Sequence, residues 1–233
     1  MMRNKQYWVN ELGLGWALAL KETLKSDYSE KLLNYITIQK AFNTIIPNEK
    51  EIFRYFKLTP REELKAVIII KEYGIDMSMF PQAFADNYID SFYDFGINKI
   101  SECIYREYYL NDPTKILYTR FFNFDDWAKQ GILILPLSLT VNSKESGQHI
   151  KPWRKFIEAV LKDIVDYSPG TIFLLLGNEA KQYSEFLSSN QHVFSWENPG
   201  DAVKEFRDWN CKIFKQIDLL TDNIYGRGNR FTW

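Results

Sequence analysis

Three short stretches hold the side chains whose types and spacing suit chemistry. The first is KEYGIDMSMFPQAFADNY, residues 71–88, which gathers Glu72, Asp76 and Asp86 near Tyr73. A carboxylate within hydrogen-bond reach of a water is a general base in principle. A shift of one or two residues in this loop would bring one of the three to such a water. The simpler reading, and the preferred one, is a set of solvated loop acids. The second stretch is ENPGDA, residues 197–202, with Glu197, Asn198 and Asp201. N-P-G-D is a strong turn signal, and turn chemistry is preferred there over an acidic site. The third is the proline that ends ILILP. Pro136 has no N–H for a sheet ladder, yet it closes what reads as a buried strand. The two histidines, His149 and His192, are read as structural. No C-x-x-C, H-x-x-x-H or acidic triplet suggests a metal site. GRGN, residues 226–229, lacks the following helix that a phosphate-binding loop needs. No cofactor is expected.

The elements that must position these residues come from hydrophobic pattern. AVIII (66–70), ILIL (132–135) and TIFLLLG (171–177) are short, β-branched and apolar throughout, as strands covered on both faces of a parallel sheet are. HVFSW (192–196) fits the same role less clearly. Between them, residues 152–167 place Trp153, Phe156, Ile157, Val160, Leu161 and Ile164 on one helical face, with Pro152 suited to a first helical position. Residues 178–187, 90–109 and 202–220 also read as helical, while Pro81, Gly96 and Pro113 mark loops. The order predicts an α/β fold in one domain spanning residues 1–233. A helical N-terminal part (1–50) precedes an α/β core (51–233) with a central four-stranded, mainly parallel sheet flanked by helices. Ligands of such sheets bind beyond the carboxyl ends of the strands, where the three stretches lie.

Composition narrows the functional classes. The chain has 233 residues, 45% hydrophobic, with net charge −1. No basic excess of the kind expected of a dedicated nucleic-acid binder is visible. Aromatic–basic runs such as YREYY and RYF are read as core in preference to base-stacking surfaces. Two cysteines form no disulfide framework and point to a reducing compartment. The start of the chain lacks a continuous apolar stretch, and the longest apolar runs are far too short to cross a bilayer. A cytoplasmic location without membrane association is expected.

The order of the pieces resembles the uracil-DNA glycosylase family, in the subgroup found in bacteria, animals and large DNA viruses. The clearest match is WAKQGILIL..SLTV, against that family's W-A-x-Q-G-V-L-L-L-N-x-x-L-T-V. Around it lie IFRYFKLTPREELKAVIII, HIKPWRKFIEAVL (near S-H-x(3)-G-W-x-x-F) and IFLLLGNEAKQ (resembling V-F-L-L-W-G-x-x-A-Q). Cys211 with Phe214 resembles G-C-x-H-F, and the terminal FTW a final I-x-W. The resemblance runs from about residue 52 to 233. It implies the family's fold, but not its pocket. The aspartate of the family's water-activating G-Q-D-P-Y-H loop falls on Tyr73, a phenol of pKa near ~10 and a poor base at neutral pH. The phenylalanine that stacks on uracil falls on Asp86. The asparagine that reads the uracil edge falls on Pro136, which has no side-chain donor. The H-P-S-P-L-S loop falls on Asn198, Pro199, Gly200, Asp201, Ala202 and Val203. Asn198 can donate a hydrogen bond there but cannot be cationic, and Ala202 is too small to wedge a base stack.

These substitutions read as a catalytically degenerate member with a remnant pocket of Glu72, Tyr73, Asp76, Asp86, Pro136 and Asn198. Its DNA-facing loop would be Pro199, Gly200, Asp201 and Ala202. The loops that would meet DNA carry Glu72, Asp76, Asp86, Asp201 and Glu205, whose charge repels phosphates. The expected role is binding or scaffolding in DNA replication or repair. The partner would be a protein, such as a replication or repair protein or a glycosylase inhibitor, with DNA bound weakly. The alternative is an enzyme on a different or modified base, with the pocket rebuilt around the loop acids and Asn198.

Overall fold

The computed structural model describes residues 5–72, 95–109, 124–142, 145–187 and 189–233. Four helices open the chain: α1 (Lys5–Leu12), α2 (Leu14–Ala19), α3 (Lys21–Lys25) and α4 (Asp27–Phe42). Strand β1 (Ile45–Ile46) and helix α5 (Arg54–Leu58) lead into β2 (Ala66–Ile70). Next come α6 (Phe95–Tyr109), α7 (Phe124–Ala128), β3 (Ile132–Pro136), β4 (Val141–Asn142) and α8 (Ile150–Tyr167). The chain ends with β5 (Ile172–Leu176), α9 (Asn178–Lys181), β6 (His192–Trp196), α10 (Pro199–Lys204) and α11 (Phe214–Tyr225).

The four apolar runs are the four strands of one sheet, ordered β3-β2-β5-β6 with every neighbour parallel. β2, β3 and β5 are buried at every residue, which is why their sequences show no alternation. β6 is an edge strand with only β5 beside it, and Val193 is 42% exposed. None of its five residues is buried, unlike those of β3 at the other edge, and its mixed sequence follows from that exposure. The first crossover places β3 on one side of β2, and the next places β5 on the other. The order therefore reverses between β2 and β5, where open sheets form their ligand crevice.

Gly131, the glycine of WAKQG, makes the entry to β3 possible. It has φ +95°, and a Cβ there would lie 2.3 Å from the Glu63 carbonyl oxygen. Its own carbonyl accepts the N–H groups of Lys65 and Ala66 at 2.9 and 3.1 Å, setting β2 alongside β3.

The apolar face expected of α8 is the buried one: Trp153, Phe156, Ile157, Val160, Leu161 and Ile164. The helix begins earlier than expected, so Pro152 is its third residue and not its first. That position is tolerated because N–H groups in a first turn have no intrahelical acceptor. The Tyr28 hydroxyl from α4 enters the same turn, donating to the Pro152 carbonyl at 2.7 Å and accepting from the Phe156 N–H at 3.1 Å. Other links fasten the N-terminal helices to the α/β core. The Trp16 indole donates to the Thr59 carbonyl at 2.8 Å, and β1 pairs antiparallel with β4. Buried side chains from Trp8 to Phe231 form one hydrophobic cluster.

Three local expectations are corrected. Gly96 lies inside α6, not in a loop. Residues 178–187 divide into α9 and a 3-10 turn over Gln182–Phe186. Residues 202–220 are not one helix: α10 stops at Lys204 and α11 starts at Phe214. The intervening DWNCKI alternates exposed and buried, with Trp209, Cys211 and Ile213 inside. An extended chain buries every second residue, which a helix cannot do. Pro81, Pro113 and residues 90–94 lie outside the described residues.

Candidate functional site

All four strands point the same way, so their carboxyl ends share one face. β2 ends into Lys71 and Glu72. Lys71 Nζ lies 3.1 Å from a carboxylate oxygen of Glu179, the second residue of α9 after β5. This ion pair spans the point where the strand order reverses. Burial pushes the Glu179 carboxyl up, but its own backbone N–H and Lys71 outweigh that, and it sits below its usual range. Glu72 turns the other way. Both its oxygens accept the Gly147 N–H, at 3.1 and 2.8 Å, and one also takes the Ser146 hydroxyl. Its carboxylate is a latch between the end of β2 and the loop before α8. Tyr73, Asp76 and Asp86 lie outside the described residues.

β3 reaches the same face at Pro136, which is buried and paired with Ile70. The missing N–H does no harm on an edge strand, and the ladder continues one residue later, with the Leu137 N–H donating to the Ile70 carbonyl at 2.9 Å. The chain beyond stays inside: Leu137, Ser138, Leu139 and Thr140 are all buried. Thr140 joins β3 to α8. Its hydroxyl accepts the Trp153 indole N–H at 2.7 Å and lies 2.9 Å from His149 Nδ1. His149 is fully buried, and burial lowers its pKa, so the ring is neutral at physiological pH. Among the described residues its Nε2 has no hydrogen-bond partner. His192, by contrast, is exposed on β6. The spacing of the sequence did not fix either histidine's place.

The third part of the face follows β6. Gly177 (φ +94°) ends β5 with its N–H on the Trp196 carbonyl at 2.9 Å, and an added Cβ would meet the Asn198 Cβ at 3.3 Å. The close approach sets Asn198 against the carboxyl end of β5. The Asn198 side chain is already committed: its Oδ1 accepts the Gly200 N–H at 2.8 Å as the N-cap of α10, with Pro199 at the first helical position. N-P-G-D is therefore a helix start rather than a free turn. Of the loop expected to face DNA, Pro199 and Ala202 are buried, Ala202 completely, and Asp201 is exposed. Ala202 packs inward because it lies one helical turn into α10, against the core.

The side chain that does project here is Phe206, 98% exposed two residues beyond α10. Behind it, Arg207 donates to both oxygens of Glu197 at 2.6 and 2.5 Å and to Glu205 at 2.5 Å, and the Trp209 indole donates to the Glu197 carbonyl at 3.1 Å. Arg207 holds the Glu197 carboxyl below its usual range. Phe206 and Arg207 were not among the residues singled out from the sequence. The alternating DWNCKI was the available signal that a helix ended before it.

Among the described residues no three His, Cys, Asp or Glu side chains converge to hold a metal ion. Among the described carboxylates of this face, Glu72 accepts Gly147 and Ser146, Glu179 pairs with Lys71, and Glu197 pairs with Arg207.

A four-stranded parallel sheet of order β3-β2-β5-β6, reversing between β2 and β5, with helices before it in the chain can be compared with known proteins. The mimivirus uracil-DNA glycosylase superposes with TM-score 0.71 over 95% of this chain and 87% of its own, at 14% identity. That from Nitratifractor salsuginis gives 0.58 over 97% and 96%, at 16% identity. The chain has the uracil-DNA glycosylase fold. In sequence it is 26% identical over 219 residues to a protein of Fusobacterium nucleatum named uracil-DNA glycosylase, covering 93% of this chain and 94% of that one. A Coxiella burnetii protein of the same name is 27% identical over 224 residues, 91% of each chain. No protein-family model matches the chain. Mimivirus uracil-DNA glycosylase has also been solved in complex with the protein UGI, in a Y322L form with TM-score 0.72 to this chain. No described helix is long and apolar enough to cross a membrane.

Proposed function

We propose that the chain is a uracil-DNA glycosylase family member that does not excise uracil and works by binding, as a scaffold in DNA replication or repair. The observation that carries this reading is Pro136. It stands at the carboxyl end of β3, buried and without a side-chain donor, where the family resemblance puts the amide that reads the uracil edge. Asn198 supports it. In the place of the family's catalytic histidine, its oxygen caps α10 and its side chain carries no charge. A flipped base is read through hydrogen bonds to its edge; Pro136 has no side-chain donor or acceptor for one, and the Asn198 oxygen is engaged by the Gly200 N–H. Glu72 is occupied by Gly147 and Ser146. Binding through a protein partner is favoured over DNA by the acids on the strand-end loops, with weak DNA binding beside it.

The test is uracil release from single- and double-stranded oligonucleotides by the purified full chain. The expected result is no release above a protein-free control. Release that disappears in Tyr73→Ala or Asn198→Ala would overturn the reading.

A second reading has its own support, since the sequence relatives are named as glycosylases. In it the pocket is rebuilt around Glu72, Tyr73, Asp76, Asp86 and Asn198 for a different or modified base. A ligand that binds only the native state raises the melting temperature. A panel of modified nucleosides that produces no shift would count against this alternative.

A further inference from the structure

The turn that ends α10 is built against the usual chemistry of helix ends. Two backbone bonds close it: Arg207 N–H to the Ala202 carbonyl at 3.0 Å, and Phe206 N–H to the Val203 carbonyl at 3.1 Å. Together they form a Schellman motif, whose left-handed position is ordinarily glycine. Here that position is Phe206, with φ +52°. It is the one non-glycine residue with positive φ among the described residues. A side chain with a Cβ is disfavoured in this conformation, and an aromatic ring gains nothing from standing 98% exposed. Neither local geometry nor burial explains phenylalanine there. Beside the turn, Arg207 pairs with Glu197 on one side and Glu205 on the other. A residue held in a disfavoured backbone conformation without a local reason points to a functional one.

The surroundings state what the ring is made to meet. Residues 197–208 hold four acids, Glu197, Asp201, Glu205 and Asp208, against two bases, Lys204 and Arg207. The Glu205 and Asp208 side chains are 62% and 63% exposed although paired with Arg207 and Arg106, and Asp201 is exposed beside them, leaving an acidic excess around the ring. An aromatic knob with an acidic collar is repelled by phosphate and by an acidic protein. It complements an apolar pocket with a basic rim, the arrangement of an aromatic anchor inside a polar ring at protein interfaces. We infer that Phe206 is the anchor of a protein-docking surface whose partner presents an apolar pocket bordered by lysine or arginine. The inference rests on the binding reading above and gives that partner its chemistry.

The probe is a library of randomised twelve-residue peptides displayed on phage and selected against the immobilised full chain. Enriched peptides are expected to combine Lys or Arg with large aliphatic residues. Synthesised, such a peptide binds more weakly as salt rises and loses roughly tenfold or more in affinity to both Phe206→Ala and Phe206→Gly. Phe206→Gly also relieves the turn and melts higher than the natural chain by roughly 2–4 °C, whereas Phe206→Ala keeps a Cβ at the strained position and does not. This pair separates loss of the ring from a change in the fold. Peptides with no basic–apolar pattern, or equal affinity for the three proteins, would overturn the proposal. So would duplex or single-stranded DNA binding that falls when Phe206 is replaced. Uracil release by all three proteins would overturn the binding-only function and leave the anchor standing.

Discussion

Tyr28 shows how much one hydroxyl can carry in this fold. It bridges the Pro152 carbonyl and the Phe156 N–H in the first turns of α8. Burial pushes its phenol up to about 12, so it stays a neutral donor and acceptor through the physiological range. Tyr28→Phe leaves a carbonyl and an N–H of α8 without their partner while keeping the ring. The expected loss is about 1–3 kcal/mol in a denaturant titration, with the slope of the transition unchanged because the folded packing is retained. A loss of a few tenths would mean that α8 closes its own bond once the hydroxyl is gone. Nothing in the sequence around Tyr28 announces this contact, since its partner lies 124 residues away. Residue-scale chemistry at the strand ends was partly legible. Pro136 and Asn198 were singled out by type and place, and the structure sets both at the carboxyl face. Phe206 was invisible because its conformation belongs to glycine, and a pattern search looks for glycine there.

At the scale of elements, strands and the α8 stripe were readable because their burial is uniform or periodic. The break between α10 and α11 was missed because a short polar–apolar alternation was read as part of a longer helix. α11 is held by two carboxylates that no local pattern reveals. Glu107 of α6 accepts the N–H groups of Phe214 and Lys215 at its start. Asp218 accepts the Trp233 indole at 2.9 Å, the Phe231 N–H at 3.3 Å and the Tyr108 hydroxyl. Burial raises the pKa of both, and for Asp218 these three donors and Arg230 only partly offset it. A carboxyl whose folded pKa is raised contributes stability below its unfolded pKa. That contribution is lost as pH rises through the folded value. Asp218→Asn keeps the shape and removes the ionisation. The variant is therefore expected to gain on the natural chain as pH climbs from about 4 to 7, by thermal melting at each pH. Comparison with the natural chain matters, because Glu179, Glu197 and Asp222 are shifted down and tilt the common background the other way. A constant difference across that range would mean that Asp218 is ionised at no cost.

For the whole molecule, the question is what a glycosylase fold with these strand ends does to nucleic acid. Net charge is −1, and two of the cations at the described part of the face are spent internally, Lys71 on Glu179 and Arg207 on Glu197 and Glu205. Affinity for a phosphate backbone comes from cations that release counterions, and the logarithm of the binding constant falls by about 0.7 per neutralised phosphate for each tenfold rise in salt on a single strand. With these two cations paired, the face is expected to neutralise fewer phosphates. Fluorescence anisotropy of a labelled single strand should thus show weak binding with a shallow salt slope, unchanged when one thymine is replaced by uracil. A steep slope would place a basic groove elsewhere on the surface and revive DNA as the principal partner. A uracil preference would mean that a base-reading pocket survives and that Pro136 does not stand where the amide should. Weak binding blind to uracil, alongside a peptide consensus lost with Phe206, would leave a fold whose strand-end face has passed from reading a base to holding a protein.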